Sequence, residues 1–252
     1  MIAIQIFSWD LTIAELAVIA MVALFIGMAK TGVHGAGMVA VPLLAAAFGG
    51  KVSSGILLPI LIMADVFGVT YYHRHASWKH LVKLFPWAIL GVLIGVYTGH
   101  YINDETFKAI MAVIIFVSVI IMLWLENTNK KAVPDYYWFA IIMGIAAGFT
   151  TMVGNLAGSV AALYLLSMRL PKNAFIGTAA WFFMVLNWFK VPFHILVWGT
   201  IDWNTLQLDI LFLPIIGLGA WVGVTIIKRI PEKGYRWFII GSTLVAALMM
   251  LI

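Results

Sequence analysis

The chain of 252 residues contains no cysteine. Disulfide scaffolds, thiolate metal sites, thiol nucleophiles and iron–sulfur clusters are thereby excluded. Charge is also scarce: 15 Lys and Arg with 10 Asp and Glu make up 10% of the residues, against about 25% in ordinary soluble domains. So few charges cannot cover the surface of a soluble domain of this size. Disorder is excluded too, because 64% of the residues are hydrophobic. No GxxxxGK[ST] loop occurs, so nucleotide-driven work by this chain alone has no support. No Ser-His-Asp or paired-carboxylate spacing stands out in the apolar stretches, and the chain is not read as an enzyme. The net charge of +5 does not point to nucleic acid, since basic residues stand singly or in pairs between apolar runs. Residues 1–10 carry no Lys or Arg, so no cleavable signal is evident. What remains is an all-α polytopic membrane protein.

Spanning helices need about 20 mostly apolar residues. Uninterrupted candidates are 52–73, 82–101, 107–125, 173–196, 205–227 and 234–252. Two other apolar regions, 12–48 and 136–168, are broken in the middle, by Lys30-Thr31-Gly32-Val33-His34-Gly35-Ala36-Gly37 and by Thr150-Thr151-Met152-Val153-Gly154-Asn155-Leu156-Ala157-Gly158. The chain also repeats itself. At an offset of 121, Gly27 matches Gly148, Gly37 matches Gly158, Lys51 matches Lys172 and His73 matches His194. At an offset of 128, Pro86 matches Pro214, Gly91 and Gly95 match Gly219 and Gly223, Asp104 matches Glu232 and Lys108 matches Arg236. This predicts a single transmembrane domain over 1–252: one repeat at about 12–125, a linker at about 126–135 and a second repeat at about 136–252. The GxxxG pairs serve either internal packing or a homo-oligomer interface.

Loop charges discriminate between two topologies. If each broken region crosses once, the cations split eight against five. If each is a hairpin that returns to its own side, Arg74, Lys79, Lys83, Lys130, Lys131, Arg169, Lys172, Lys228, Arg229, Lys233 and Arg236 share one side, opposite Lys51 and Lys108. Eleven against two is the stronger positive-inside signal. It predicts two inverted repeats, each a re-entrant hairpin plus three spans, with both chain ends outside the cell membrane.

Polar residues inside apolar stretches are the functional candidates. Lys30, Thr31, His34, Gly35 and Gly37 form the first break. Thr151, Gly154 and Asn155 form the second, with Asn155 expected at a helix start. Freed N–H groups at a helix start favour an anion, and Lys30 adds a full charge unless it snorkels to an interface. His34 either touches substrate or bonds a backbone carbonyl. Asp65 is either a proton relay that couples transport or a fixed bridge to Lys30 or Lys190. Asn187, Lys190 and His194 share a face of the 173–196 helix, which Pro192 is expected to kink. His73, Arg74, His75 and His80 lie in a basic loop without an acidic ligand, and neither metal nor cofactor is expected.

Further residues carry a resemblance. Asp65, then Tyr71-Tyr72-His73-Arg74-His75-Ala76-Ser77-Trp78-Lys79, Leu84-Phe85-Pro86-Trp87 and Gly91 with Gly95, resemble the first repeat of the sulfite exporter TauE/SafE family. Gly177-Thr178-Ala179-Ala180-Trp181-Phe182-Phe183 and Asn187-Trp188-Phe189-Lys190-Val191-Pro192-Phe193 resemble its second. The resemblance implies export or import of sulfite, sulfoacetate or another sulfonate across the inner or plasma membrane. The partners expected are therefore a small anionic substrate and membrane lipid. The expected function is a secondary transporter driven by protons or membrane potential; an anion channel or a membrane-embedded enzyme are the alternatives.

Overall fold

The computed structural model describes residues 3–99, 101, 113, 116–117, 120–121, 123, 136–155 and 157–249. Strands β1 (Ala3–Ile6) and β2 (Trp9–Thr12) form an antiparallel hairpin ahead of the helices. Helix α1 (Ile13–Lys30) opens with a capping box. The Thr12 hydroxyl accepts from the Glu15 N–H at 3.2 Å, and the Glu15 carboxylate accepts from the Thr12 N–H at 2.7 Å, filling two groups that a helix start leaves open. There follow α2 (His34–Phe48), α3 (Gly50–Tyr72), a 3₁₀ turn (His73–His75) and α4 (Trp78–Thr98). The described residues from 113 to 123 are helical. The second part holds α5 (Tyr137–Gly154), α6 (Gly158–Ser167), α7 (Lys172–Leu196), α8 (Trp203–Leu211), α9 (Leu213–Arg229) and α10 (Glu232–Met249). Most of the expected span 107–125, the charges Lys108, Lys130 and Lys131, and the linker 126–135 lie outside the described residues.

The chain is an all-α polytopic membrane protein. Among the described residues, α1, α3, α4, α5 and α7 are long and apolar enough to cross a membrane, and α8 with α9 makes a sixth candidate bent by 51°. The stretch 205–227, read as one uninterrupted span, is therefore two helices. Pro214 lies in the first turn of α9; it has no N–H to donate and its ring crowds the Ile210 carbonyl. Pro86 and Pro192, by contrast, sit inside α4 and α7, each assigned as one helix from end to end. Helix α10, expected to span, is not among the candidates; Glu232, Lys233 and Arg236 charge its first turns.

Both broken regions fold back on themselves. A Cβ added to Gly37 would lie 3.0 Å from the Ala29 Cβ, whereas a straight helix would separate these residues by about 12 Å. Gly32 makes the first reversal with φ at 121°, a conformation that side-chain-bearing residues avoid. In the second region the rings of Phe139 and Tyr164 stack at 5.8 Å, against about 37 Å along a straight helix.

The helix crossings come in matched pairs. A Cβ on Gly27 would collide with the Ile216 carbonyl, and one on Gly148 with the Ala88 carbonyl. Gly219 abuts Leu24, and Gly91 abuts Ile145. Ile216 follows Ala88 by 128 residues, and Ile145 follows Leu24 by 121. Helix α1 thus packs on α9 as α5 packs on α4: the first helix of each half lies against the proline-containing helix of the other. The GxxxG pairs serve this packing, since bare backbone allows axes to approach closely. Gly55 meets the Thr200 carbonyl and Gly177 the Tyr72 carbonyl in a further matched contact. These glycines, like the helix starts Gly50 and Lys172, are 122 residues apart. The α3/α7 register is therefore one residue longer than the Lys51–Lys172 match implies. Two buried clusters result. One centres on α1–α3 with α8 and α9, the other on α4–α7 with α10, and Val33, Met152 and Ala157 of the two reversals belong to the second.

Candidate functional site

Where the two reversals meet, the structure gathers Lys30, Asp65, Thr151, Asn155, Asn187 and Lys190. The Lys30 Nζ lies 2.8 Å from Asp65 Oδ1, and Asn187 Nδ2 donates to Asp65 Oδ2 at 2.6 Å. Asp65 is fully buried. A carboxylate there is tolerated because a cation and an amide replace its water. The Lys30 ammonium also lies 4.3 Å from the centre of the Phe183 ring, a cation–π contact.

Lys190 is held differently. Its Nζ donates to the Thr151 carbonyl at 3.0 Å, the Thr151 hydroxyl at 3.0 Å and Asn155 Oδ1 at 2.6 Å. An ammonium has three protons, so each has an acceptor. Two of these acceptors belong to Thr151 in the last turn of α5, whose carbonyl also accepts from the Asn155 N–H at 3.1 Å and where the dipole favours a cation. Asn155 was expected at a helix start. It is instead the C-cap of α5, with φ 55°, a left-handed conformation that Asn adopts more readily than most residues.

A cavity of about 60 Å³ (the volume open to the centre of a water molecule) adjoins these groups. That is room for a few waters or one small ion. Lys30, His34, Gly37, Thr151, Asn155, Gly158 and Asn187 contribute to its wall, with an apolar side from Ile26, Leu61, Ile176, Ala179, Ala180 and Phe183. His34 and Gly158 are the first residues of α2 and α6, so both helix starts border the cavity. The His34 ring packs edge-on to Phe175 at 5.1 Å and lies 3.3 Å from the Gly32 carbonyl.

Five sequence candidates lie off the wall: Thr31, Gly35, Gly154, Asp65 and Lys190. The Thr31 hydroxyl turns to the α9 crossing, 3.0 Å from the Gly27 carbonyl and 3.1 Å from that of Ala220. Gly35 abuts Ser242 on α10, and Gly154 is buried at the end of α5. Lys190 reaches the cavity only through Thr151 and Asn155. Phe183 and Gly158 were not singled out as site residues. Phe183 was legible as the continuation of the Asn187–Lys190 face one turn earlier; Gly158 was legible as the match of Gly37. Among the described residues no group of three or more His, Asp or Glu could hold a metal.

Broken helices meeting around buried charges define a membrane transporter in class. The chain belongs to the sulfite exporter TauE/SafE family, whose model matches residues 18–250. That family comprises membrane transporters of sulfite-type anions rather than enzymes. No curated protein matches the chain.

Proposed function

We propose that the protein is a secondary carrier of a small sulfur oxyanion or sulfonate, such as sulfite or sulfoacetate, bound between the two reversals. The observation that carries this reading is the Lys30 ammonium. It borders the cavity with one carboxylate acceptor among the described residues, beside the starts of α2 and α6. Two buried ammoniums and one carboxylate leave the site at +1, and an anion restores neutrality. Protonation of Asp65 would raise the site to +2 and favour a dianion, which is how Asp65 would couple protons to transport. Thr151, Asn155 and Asn187 add polar groups, and Lys190 holds the cradle of the second half rigid. His34 and Gly37 complete the first half, while Thr31, Gly35 and Gly154 shape the breaks.

In this reading each reversal is re-entrant, the repeats are inverted, and both chain ends lie outside a cell inner or plasma membrane. A reporter fused after Ile252 should be active outside the cytoplasm; cytoplasmic activity would overturn that topology. For the site, uptake of external labelled sulfite or sulfoacetate into liposomes that hold the protein provides the test. Lys30→Gln should abolish uptake while the thermal unfolding midpoint shows the protein still folded; wild-type uptake would remove Lys30 from the site. An outward substrate gradient should accelerate exchange, as carriers do. A channel would show flux without that acceleration.

A further inference from the structure

Helix α8 carries a second buried carboxylate that the anion site does not use. Asp209 is fully buried, and among the described residues neither of its carboxylate oxygens has a hydrogen-bond partner. Helix α8 packs against α3 and α9. The charged residues of those helices are Lys51, whose side chain lies outside the described residues, Asp65, Lys228 and Arg229. Asp65 is engaged by Lys30 and Asn187, and Lys228 and Arg229 stand in the last turn of α9. An ionised carboxylate with no partner in such a place is too expensive to persist.

The same helix face leads to the surface. Asp202, Thr205 and Asp209 are spaced i, i+3 and i+7, which aligns them along one side. Asp202 is exposed and caps α8. Its Oδ1 accepts from the Thr205 N–H at 2.7 Å and from the Thr205 hydroxyl at 2.8 Å. These two bonds hold the Asp202 carboxyl below its ordinary range, so it stays an anion at the mouth. The Thr205 hydroxyl spends its proton on Asp202 and keeps lone pairs free to accept one. Asp209 lies one turn further in, its Cβ about 5–6 Å away by helix geometry. Beyond it comes the α8–α9 bend, where the Phe212 N–H donates to the Asp209 carbonyl at 3.1 Å.

We infer that Asp209 is a proton-binding site of the transport cycle, loaded and emptied from the Asp202 face through the Thr205 hydroxyl. In the present conformation it is a neutral carboxylic acid. Releasing its proton through Thr205 to Asp202, and on to water, leaves a carboxylate that cannot stay against α3 undisturbed. Proton release is thereby tied to movement of α8 at the bend. This rests on the carrier reading above and adds to it a proton site outside the anion pocket.

The test uses the full chain in lipid, by infrared difference spectroscopy at pH 7. The wild type should show a protonated-carboxyl absorption that Asp209→Asn removes and Asp65→Asn does not. Thr205→Val should keep the absorption but slow its hydrogen–deuterium exchange about tenfold or more, because the relay hydroxyl is gone. Absence at pH 7 of any protonated-carboxyl absorption that Asp209→Asn removes overturns the proposal, as does unchanged exchange in Thr205→Val. A transport arm uses sulfoacetate, whose groups are ionised at pH 7. Asp209→Asn should retain counterflow yet lose about tenfold of the accumulation driven by a pH gradient, the equivalent of one pH unit of drive. Wild-type accumulation by Asp209→Asn likewise overturns it. If the wild type shows no counterflow, the carrier reading fails, and the infrared result still decides whether Asp209 holds a proton.

Discussion

The two halves have equivalent helix crossings but unequal reversals: the helix before the turn ends at Lys30 in the first and at Gly154, three residues later in register, in the second. Lys30 and His34 in the first correspond to Thr151 and Asn155 in the second, 121 residues on. Asp65 and Gly68 on α3 correspond to Asn187 and Lys190 on α7, 122 residues on. The Asp65–Asn187 bond therefore joins equivalent positions of the two halves. Gly68 packs its bare backbone against the Lys30 carbonyl, while its counterpart Lys190 reaches the corresponding Thr151 carbonyl with an ammonium. Each half thus places one cation near the centre, but from a different helix. In the first half the cation meets a carboxylate, and its remaining donors are those the proposed ligand would take. In the second its protons are all taken by α5 and its cap. In the proposed reading the repeated scaffold carries one half that binds and one half that braces.

The largest effect that would test this contrast is removal of the shared acid. Asp65→Ala leaves Lys30 buried without its counter-charge and should cost about 3–5 kcal/mol of stability, read as a lowered unfolding midpoint in detergent. Lys190→Met takes a donor from the Thr151 hydroxyl and the Asn155 amide oxygen and should cost less, about 1–3 kcal/mol. If Lys190→Met proves the more damaging, the division into binding and bracing halves is wrong.

The backbone equivalence can be challenged separately. Gly27→Ala and Gly148→Ala each force a methyl into a carbonyl of the crossing helix, and each should cost about 1–3 kcal/mol by overpacking. Gly241→Ala, where a Cβ would meet nothing within 4 Å, should be neutral or slightly stabilising. A large loss at one crossing and none at the other would break the equivalence.

A smaller effect concerns the prolines. Pro214→Ala should reduce the α8–α9 bend, seen as a longer spin-label distance between the two helix ends, whereas Pro86→Ala should leave α4 unchanged in shape. The smallest effect is electrostatic. The Asp202 carboxyl lies below its ordinary value when folded, so its contribution is present above that ordinary value and is lost as pH falls through the folded one. Unfolding midpoints measured at decreasing pH should therefore drop slightly more for the wild type than for Asp202→Asn, with the difference confined to acid conditions.

Several parts of this arrangement were legible along the chain. Scarce charge and long apolar runs determined a helical membrane protein, because lipid leaves backbone polar groups no partner outside a helix or closed barrel. Glycine spacing and matched prolines exposed the repeat, because helices approach closely only where side chains are absent. Lys30, Asp65, Asn187 and Lys190 stood out because a buried charge needs a compensating partner. Which partners they take was decided only by tertiary structure. Lys30 meets Asp65, 35 residues away, and Lys190 meets Thr151, 39 residues away, because reversals and crossings bring distant segments to one depth. Asn155 caps the end of α5 instead of starting α6, since local propensity allows either role and the turn geometry selects one. Asp209 passed unremarked among the apolar residues of 205–227. What sets it apart is the lack of a partner among the described residues, a property of its packed surroundings that no local spacing encodes.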